Sequence, residues 1–214
     1  MSIILYGSAA GEGYRPGKSD INLMIVLSDT GMERLDRAFE KVKKWRKRNV
    51  ATPLFLTENY VDTSLDVYPI EYLNFQRDHI LVFGKDILKA LIFNPEFIRL
   101  QCEREIKGKL LLLREAFLNT SGKGKALREV IGQSLPAFIA IFEALLHLKG
   151  KDLPRGKREI IRAGAEAYET DADVFEKLLD IKEERTKPSN TEILGLFKDY
   201  LREVRKLSKQ VDQL

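Results

Sequence analysis

The amino-acid sequence predicts an α/β domain with a mixed sheet over residues 1–93 and an all-α helical bundle over residues 94–214. Three observations indicate this division. In the first part, short apolar runs bounded by polar residues alternate with helix-like stretches, as in small α/β domains. In the second part, apolar residues recur at helical spacing and no strand pattern interrupts them. Between the two, Asn94-Pro95-Glu96 is a typical opening of a helix.

Five apolar runs in the first part have the length and composition of buried strands. They are residues 2–6, 21–27, 53–57 and 68–75, and the ILVF run at 80–83, which Gly84 closes. Between the second and third runs, Thr30 and Glu33 have the spacing of a capping box, which predicts a helix extending to about Arg48. We therefore expect a mixed sheet with at least one covering helix.

The second part is predicted to be helical throughout. A first helix runs from Asn94 to about Leu118, and a second follows over roughly residues 123–148, where Pro136 is expected to kink or divide it. Shorter helices are expected near residues 155–168 and 172–185. The spacing of Ser189 and Glu192 predicts a capping box at the start of the last one.

Composition excludes several classes of protein. The N-terminal MSIILYGS lacks the charged and apolar regions of a secretion signal, and no run of about 18 apolar residues exists, so we expect a cytoplasmic protein without a membrane partner. The single Cys102 excludes an internal disulfide. Because His79 and His147 are the only histidines, the usual zinc ligand set is missing, and any metal would be held by oxygen ligands.

The stretch GSAAGEGYRPGKSDINLMIVL, which begins at Gly7, raises the question of a P-loop. Gly17-Lys18-Ser19 matches the end of that motif, but Glu12 stands where its first glycine belongs. The residues after Ser19 also form a strand pattern, whereas a P-loop needs a helix whose N-terminus faces the phosphates. The sequence therefore argues against a P-loop.

A different arrangement fits the same stretch. Gly7 and Ser8 end one strand, and Asp20 and Asn22 open the next, about 7 Å apart on one face because side chains alternate along a strand. Two such oxygen ligands can share the coordination of a hard divalent cation. Gly7 allows close approach of a triphosphate, and Ser8 offers a hydroxyl and an N–H. The alternative for Asp20 taken alone is a structural role, because an aspartate before a strand often caps a turn.

At these residues the chain resembles the nucleotidyltransferase superfamily related to kanamycin nucleotidyltransferase and the polymerase-beta-like fold. The signature of that family is Gly-Ser, a variable loop and an Asp-x-Asp pair at the start of the next strand, here GSAAGEGYRPGKSDINL. Glu71 in YPIEYLNF matches the family's third carboxylate, which comes from a later strand, and HILVFGKDIL resembles its last strand. The segments FIRLQCEREIKGKLLLLREAFL and FIAIFEALLHLKGKDLP resemble the helical domain fused to some members.

The resemblance implies attack of an acceptor hydroxyl on the α-phosphate of a nucleoside triphosphate, with release of pyrophosphate. It implies that Asp20, Asn22 and Glu71 hold Mg²⁺ or Mn²⁺ and that Gly7 and Ser8 bind the β- and γ-phosphates. The acceptor, a small molecule, a protein side chain or an RNA end, would lie in a cleft between the two domains.

One departure from the signature leaves an alternative open. Asn22 replaces the second aspartate and removes one negative charge from the cation site. The alternative is a catalytically inactive nucleotidyltransferase-fold protein that acts as a binding or regulatory module.

Other charged residues have two interpretations each. The run KVKKWRKR is either a nucleic-acid surface or the solvated face of a helix that buries Phe39, Val42 and Trp45 at core spacing. Glu143 and His147 are either an acid–base pair or structural. A third possibility makes the helical part the functional one, but no arginine precedes His147 at the spacing of nucleolytic helical domains. The long amphipathic helices also allow a homodimer.

Overall fold

A computed structural model describes every residue of the chain except Glu12, Gly13, Arg15 and Lys18. The described residues form two compact units, Met1–Phe97 and Ile98–Leu214. The first combines a four-stranded mixed sheet with helices and the second is helical, which confirms the predicted fold class at this level. Of the residues that were compared with a P-loop, Glu12 and Lys18 lie outside the described residues. The strand predicted after Ser19 is present, where a P-loop would have a helix.

The sheet of the first unit has the strand order β3-β2-β1-β4. Its strands are β1 (Ser2–Tyr6), β2 (Asn22–Val26), β3 (Leu54–Leu56) and β4 (His79–Phe83). Strand β1 is antiparallel to both β2 and β4, whereas β2 and β3 are parallel. Ile4 and Met24 lie opposite each other in the β1–β2 ladder, and both are fully buried. This pairing of apolar side chains stabilises the centre of the sheet.

The predicted helix from Thr30 to Arg48 is wrong as a single element. Ser28, not Thr30, is the N-cap, and its hydroxyl accepts a hydrogen bond from the Gly31 N–H. The segment folds as three short pieces: α1 (Asp29–Met32), a 3₁₀ turn (Leu35–Ala38) and α2 (Phe39–Arg46). The earlier cap starts the helix before Gly31, and a glycine inside a helix makes its continuation costly.

The predicted strand at residues 68–75 is also wrong, because the chain is helical there. Helix α3 (Glu58–Thr63) begins after Thr57, and α4 (Pro69–Arg77) begins with Pro69 in its first turn, where proline favours a helix. The buried residues of α4 recur at helical spacing: Pro69, Ile70, Tyr72 and Leu73. Glu71 therefore lies on a helix and is exposed.

Five helices make up the second unit. They are α5 (Pro95–Asn119), α6 (Gly124–Leu148), α7 (Lys157–Ala167), α8 (Ala172–Lys182) and α9 (Asn190–Val211). Two predicted starts are confirmed. The Asn94 side chain accepts from the Glu96 N–H at 2.9 Å, and Ser189 and Glu192 form the predicted capping box before α9.

Helix α6 is the central element of the second unit and packs against α7, α8 and α9. Pro136 lies within it but does not divide it. The helix is long and apolar enough to cross a membrane, yet more than half of its most apolar stretch is buried inside the chain. The core helix of a soluble protein has the same length and apolar composition.

Candidate functional site

The ends of β1 and β2 bring the predicted phosphate and cation residues to one edge of the sheet. Tyr6, the last residue of β1, pairs with Asn22, the first residue of β2. The chain then turns at Gly7, which has a φ of +73° and begins a 3₁₀ turn over Gly7–Ala9. The antiparallel register therefore places Gly7 and Ser8 beside the start of β2, and we call this end of the sheet the Gly7 edge.

Gly7 and Asn22 are in close proximity. A β-carbon on Gly7 would lie 3.5 Å from the side-chain amide nitrogen of Asn22. Asn22 is half-buried, whereas Asp20 is exposed. The intervening Ile21 forms a parallel bridge with Val50, so the extended backbone begins before Asn22. The common face that the sequence predicts for Asp20 and Asn22 requires the same extended backbone at Asp20 and stays a prediction.

Ser8 occupies the middle of the 3₁₀ turn and is half-buried. Within the described part of the chain, its hydroxyl has no hydrogen-bond partner. The turn is closed by a hydrogen bond from the Ala10 N–H to the Gly7 carbonyl at 2.9 Å. The Ser8 side chain can therefore donate to, or accept from, a ligand at the Gly7 edge without breaking a hydrogen bond to any described residue.

Asp78, which the sequence did not suggest, also lies at the Gly7 edge. Its carbonyl accepts a hydrogen bond from the Gly7 N–H at 3.2 Å. Its carboxyl group lies 3.8 Å from the position of a β-carbon on Gly11. The Arg77 guanidinium holds this carboxylate through Nε at 3.0 Å and Nη2 at 2.6 Å. An acidic residue immediately before a strand, as at Asp20, was the signal that could have identified it.

Glu71 is not at the end of α4 that meets β1. The last turn of α4 contacts β1 through the rings of Phe75 and Tyr6, whose centroids are 4.7 Å apart. Glu71 is in the first turn and precedes Asp78 by seven residues, or roughly 10 Å along the helix axis. The expectation of a third carboxylate on a strand is therefore corrected, because α4 replaces that strand.

His79 and Asp86 fix the start of β4 next to Asp78. His79 Nδ1 lies 2.9 Å from the Gln76 carbonyl, and Nε2 lies 3.1 Å from both carboxylate oxygens of Asp86. Burial acts to raise the pKa of Asp86, but hydrogen bonds from His79 and from two backbone N–H groups outweigh it and hold this pKa below its ordinary value. His79 is therefore a hydrogen-bonded residue at the start of β4.

The oxygen ligands of Asp20 and Asn22 at the Gly7 edge fit a hard divalent cation, but together they carry only one negative charge. Asp20 supplies a carboxylate and Asn22 an amide oxygen, both of which Mg²⁺ accepts together with water. Among the described residues, no three His, Cys, Asp or Glu side chains converge as a metal site. A pair of aspartates would attract the cation more strongly than Asp20 and Asn22 do.

The basic helix α2 does not bury its apolar stripe, contrary to the prediction of core spacing. Phe39 is 69% exposed, and no residue of α2 is buried. The stripe instead contributes to an open groove of about 470 Å³. Residues that line this groove are Leu35, Ala38, Phe39, Val42, Lys43, Arg46, Thr52 and Phe55.

In the second unit, Glu143 is buried within α6 and His147 is exposed near its end. The two side chains are therefore in different environments. Their assignment as an acid–base pair stays a prediction.

Comparison with known proteins gives no match: no protein-family model, no curated protein and no solved structure matches the chain. The resemblance to nucleotidyltransferases is a hypothesis that depends on the stretch from Gly7 to Asn22.

Proposed function

We propose that the protein binds a nucleoside triphosphate with Mg²⁺ at the Gly7 edge and transfers the nucleoside monophosphate to an acceptor hydroxyl. The observation that supports this most directly is the pairing of Tyr6 with Asn22. This pairing sets the Gly7–Ser8 turn beside Asn22, the first residue of β2, and Asp20 precedes Asn22 by two residues. It supports a site in which the groups proposed to bind phosphate and cation lie at one edge. The proposal includes a nucleotidyltransferase-like fold for residues 1–93 and a helical bundle domain for residues 94–214.

The turn at Gly7 would hold the β- and γ-phosphates. Gly7 has no side chain, so a phosphate can approach its backbone closely. The Ser8 hydroxyl has no competing partner among the described residues and would donate to a phosphate oxygen. The Asn22 amide nitrogen points toward Gly7 and would add a second donor on the same side.

Asp20 and Asn22 would hold Mg²⁺ or Mn²⁺, and Glu71 is the third ligand that the family resemblance suggests. The cation would supply neutralisation of phosphate charge when it is bound. Asp78 lies at the Gly7 edge, whereas Glu71 lies about two helical turns away along α4. We therefore infer that Asp78 is the more suitable of the two carboxylates for the site, with part of its charge offset by the ion pair with Arg77.

In the proposed transfer, the acceptor oxygen bonds to the α-phosphorus as the bond to the bridging oxygen breaks, pyrophosphate leaves, and the proton of the acceptor hydroxyl passes to water. The acceptor would be a small molecule, a protein side chain or an RNA end, in the cytoplasm. The first-unit groups that position the triphosphate do not depend on which of these it is.

A second candidate is a binding or regulatory module that holds the triphosphate without transferring it. Two observations favour it: Asn22 is neutral, and Glu71 lies on a helix instead of on a neighbouring strand. Both reduce the negative charge available to a pair of cations, and phosphoryl-type transfer depends strongly on such charge neutralisation.

The test combines binding and turnover in the full-length chain. Melting temperature is measured with each of the four triphosphates and Mg²⁺ or Mn²⁺, since a ligand that binds the folded state raises it. Turnover is measured as pyrophosphate release and as label transferred from triphosphates labelled at the α-phosphate. We expect both signals in the wild type, none in Asp20→Ala, and faster transfer in Asn22→Asp.

Asp29→Ala is the matched control, because Asp29 is an exposed aspartate that follows the opposite end of β2. It should leave binding and turnover unchanged. Binding without transfer, even in Asn22→Asp, would establish the second candidate. If no triphosphate shifts the melting temperature of any variant, neither candidate stands.

A further inference from the structure

Helix α5 carries an exposed apolar stripe on the side opposite its buried face. Leu100, Leu111 and Leu118 are 56%, 64% and 75% exposed. At 100° per residue they fall within about 20° of one another around the helix. The buried residues Ile106 and Leu113 lie on the other side. Their alignment along one line of the helix distinguishes them from singly scattered exposed leucines and indicates an interaction surface.

Two opposite charges lie on this stripe, Arg104 and Glu115. Neither has an ion-pair partner among the described residues, although other charged residues of α5 pair along the helix. They are eleven residues apart, or roughly 16 Å along the axis, so they cannot pair with each other within one helix. Both side chains are exposed, so each charge is solvated within one chain and available to pair with a group of another molecule.

We propose that a second copy of this chain covers the stripe, with the two α5 helices antiparallel about a twofold axis between positions 109 and 110. In this register, Arg104 of each copy faces Glu115 of the other. Leu100 of one copy then meets Leu118 of the other, and Leu111 faces Gly108. A β-carbon on Gly108 would have no atom of the described residues within 4 Å, so there is room for the opposing leucine.

The charge pattern favours a second copy over an unrelated partner. An arginine and a glutamate placed symmetrically about one point are self-complementary under a twofold rotation, which is the usual symmetry of a homodimer. The same twofold axis also places Leu100 of one copy within one residue of Leu118 of the other. The contact would extend over roughly 27 Å of helix and bury six leucines, three from each copy. It is independent of the Gly7 edge and of the proposed transfer reaction.

Sedimentation velocity of the full-length chain tests the proposal over a range from about 1 to about 100 μM. We expect a dimer for the wild type and a monomer for Leu111→Glu. Arg104→Glu and Glu115→Arg should each weaken association by about tenfold, because each places like charges opposite one another. The double variant Arg104→Glu/Glu115→Arg should restore the wild-type dissociation constant to within about threefold.

Arg205→Glu is the matched control, since Arg205 is an exposed arginine on α9 without an ion pair among the described residues. It should dimerise like the wild type. All the substituted side chains are exposed, and circular dichroism confirms that each variant is folded. The proposal is overturned by a wild type that stays monomeric, by a Leu111→Glu dimer of unchanged affinity, or by a double charge reversal that does not recover association.

Discussion

The side-chain amide nitrogen of Asn22 lies 3.5 Å from the point that a β-carbon on Gly7 would occupy. Gly7 also has a φ of +73°, in the region that favours glycine. We expect Gly7→Ala to lower the free energy of unfolding by about 1 to 2 kcal/mol and to abolish the triphosphate-induced rise in melting temperature. Urea denaturation and thermal shift measure the two effects.

Gly17→Ala distinguishes the cost of a strained backbone from the effect of a side chain in the proposed phosphate site. Gly17 has a φ of +77°, but no atom of the described part of the chain lies within 4 Å of its β-carbon position. It should show a similar loss of stability and keep the ligand-induced shift. Equal ligand responses in the two alanine variants would mean that the space beside Gly7 is not used for binding.

The positions of Asp78 and Glu71 lead to different expected effects of their substitution on the transfer rate. We expect Asp78→Asn to reduce the transfer rate by at least about tenfold and Glu71→Gln to change it by less than about threefold, because only Asp78 lies at the Gly7 edge. Initial rates with a saturating triphosphate give the comparison. The Asp78 side chain is 40% exposed, so loss of its ion pair with Arg77 should cost less than about 1 kcal/mol of stability. The reverse order of effects would restore Glu71 as the third carboxylate.

The His79–Asp86 contact predicts a pH dependence of stability. The pKa of Asp86 is lower in the folded state than in the unfolded state, so its contribution is complete above the unfolded pKa and is lost as the pH falls through the folded one. We expect Asp86→Asn to be less stable than the wild type by about 1 to 2 kcal/mol at pH 7, with the difference shrinking below about pH 4. Urea denaturation across a pH series measures it. Asp66→Asn, at an exposed aspartate, should show neither effect.

Local signals in the sequence were sufficient for elements whose ends carry their own caps. Ser189 and Glu192 satisfy each other's backbone groups within one turn, and Asn94 does the same before α5, so neither depends on distant residues. Residues 68–75 are different, because their apolar residues fit both a strand and a helix. The helix forms there with Pro69 in its first turn and its apolar face buried, and that face depends on tertiary contacts.

In the candidate site, too, local sequence signals predict only the contacts between neighbouring segments of the chain. Gly7 and Asn22 belong to two consecutive strands of one antiparallel pair, so their proximity follows from local order along the chain. Asp78 reaches Gly7 only because β4 pairs with the opposite edge of β1, more than seventy residues away in sequence. Pairing between distant strands is not encoded in a short motif, and the sequence therefore suggested Glu71 instead.

The last prediction concerns the stability of the second unit near Pro136 in α6. A proline has no N–H, so the carbonyl four residues earlier, at Gly132, loses its helical partner. Lys182 from α8 donates to that carbonyl through Nζ at 2.6 Å, and burial lowers the pKa of this lysine. We expect Lys182→Met to lower the free energy of unfolding by about 1 to 2 kcal/mol, because the carbonyl is left without a donor.

The reciprocal substitution makes this prediction specific to the carbonyl of Gly132. Pro136→Ala returns an N–H at position 136, so Lys182→Met should cost less than about half as much in that background, as measured by a double-mutant cycle in urea. Lys177→Met, on the same helix but 61% exposed, should change the free energy of unfolding by less than about 0.5 kcal/mol in both backgrounds. An equal cost of Lys182→Met with and without Pro136 would show that the lysine stabilises the unit through its packing against α6 and not through the orphaned carbonyl.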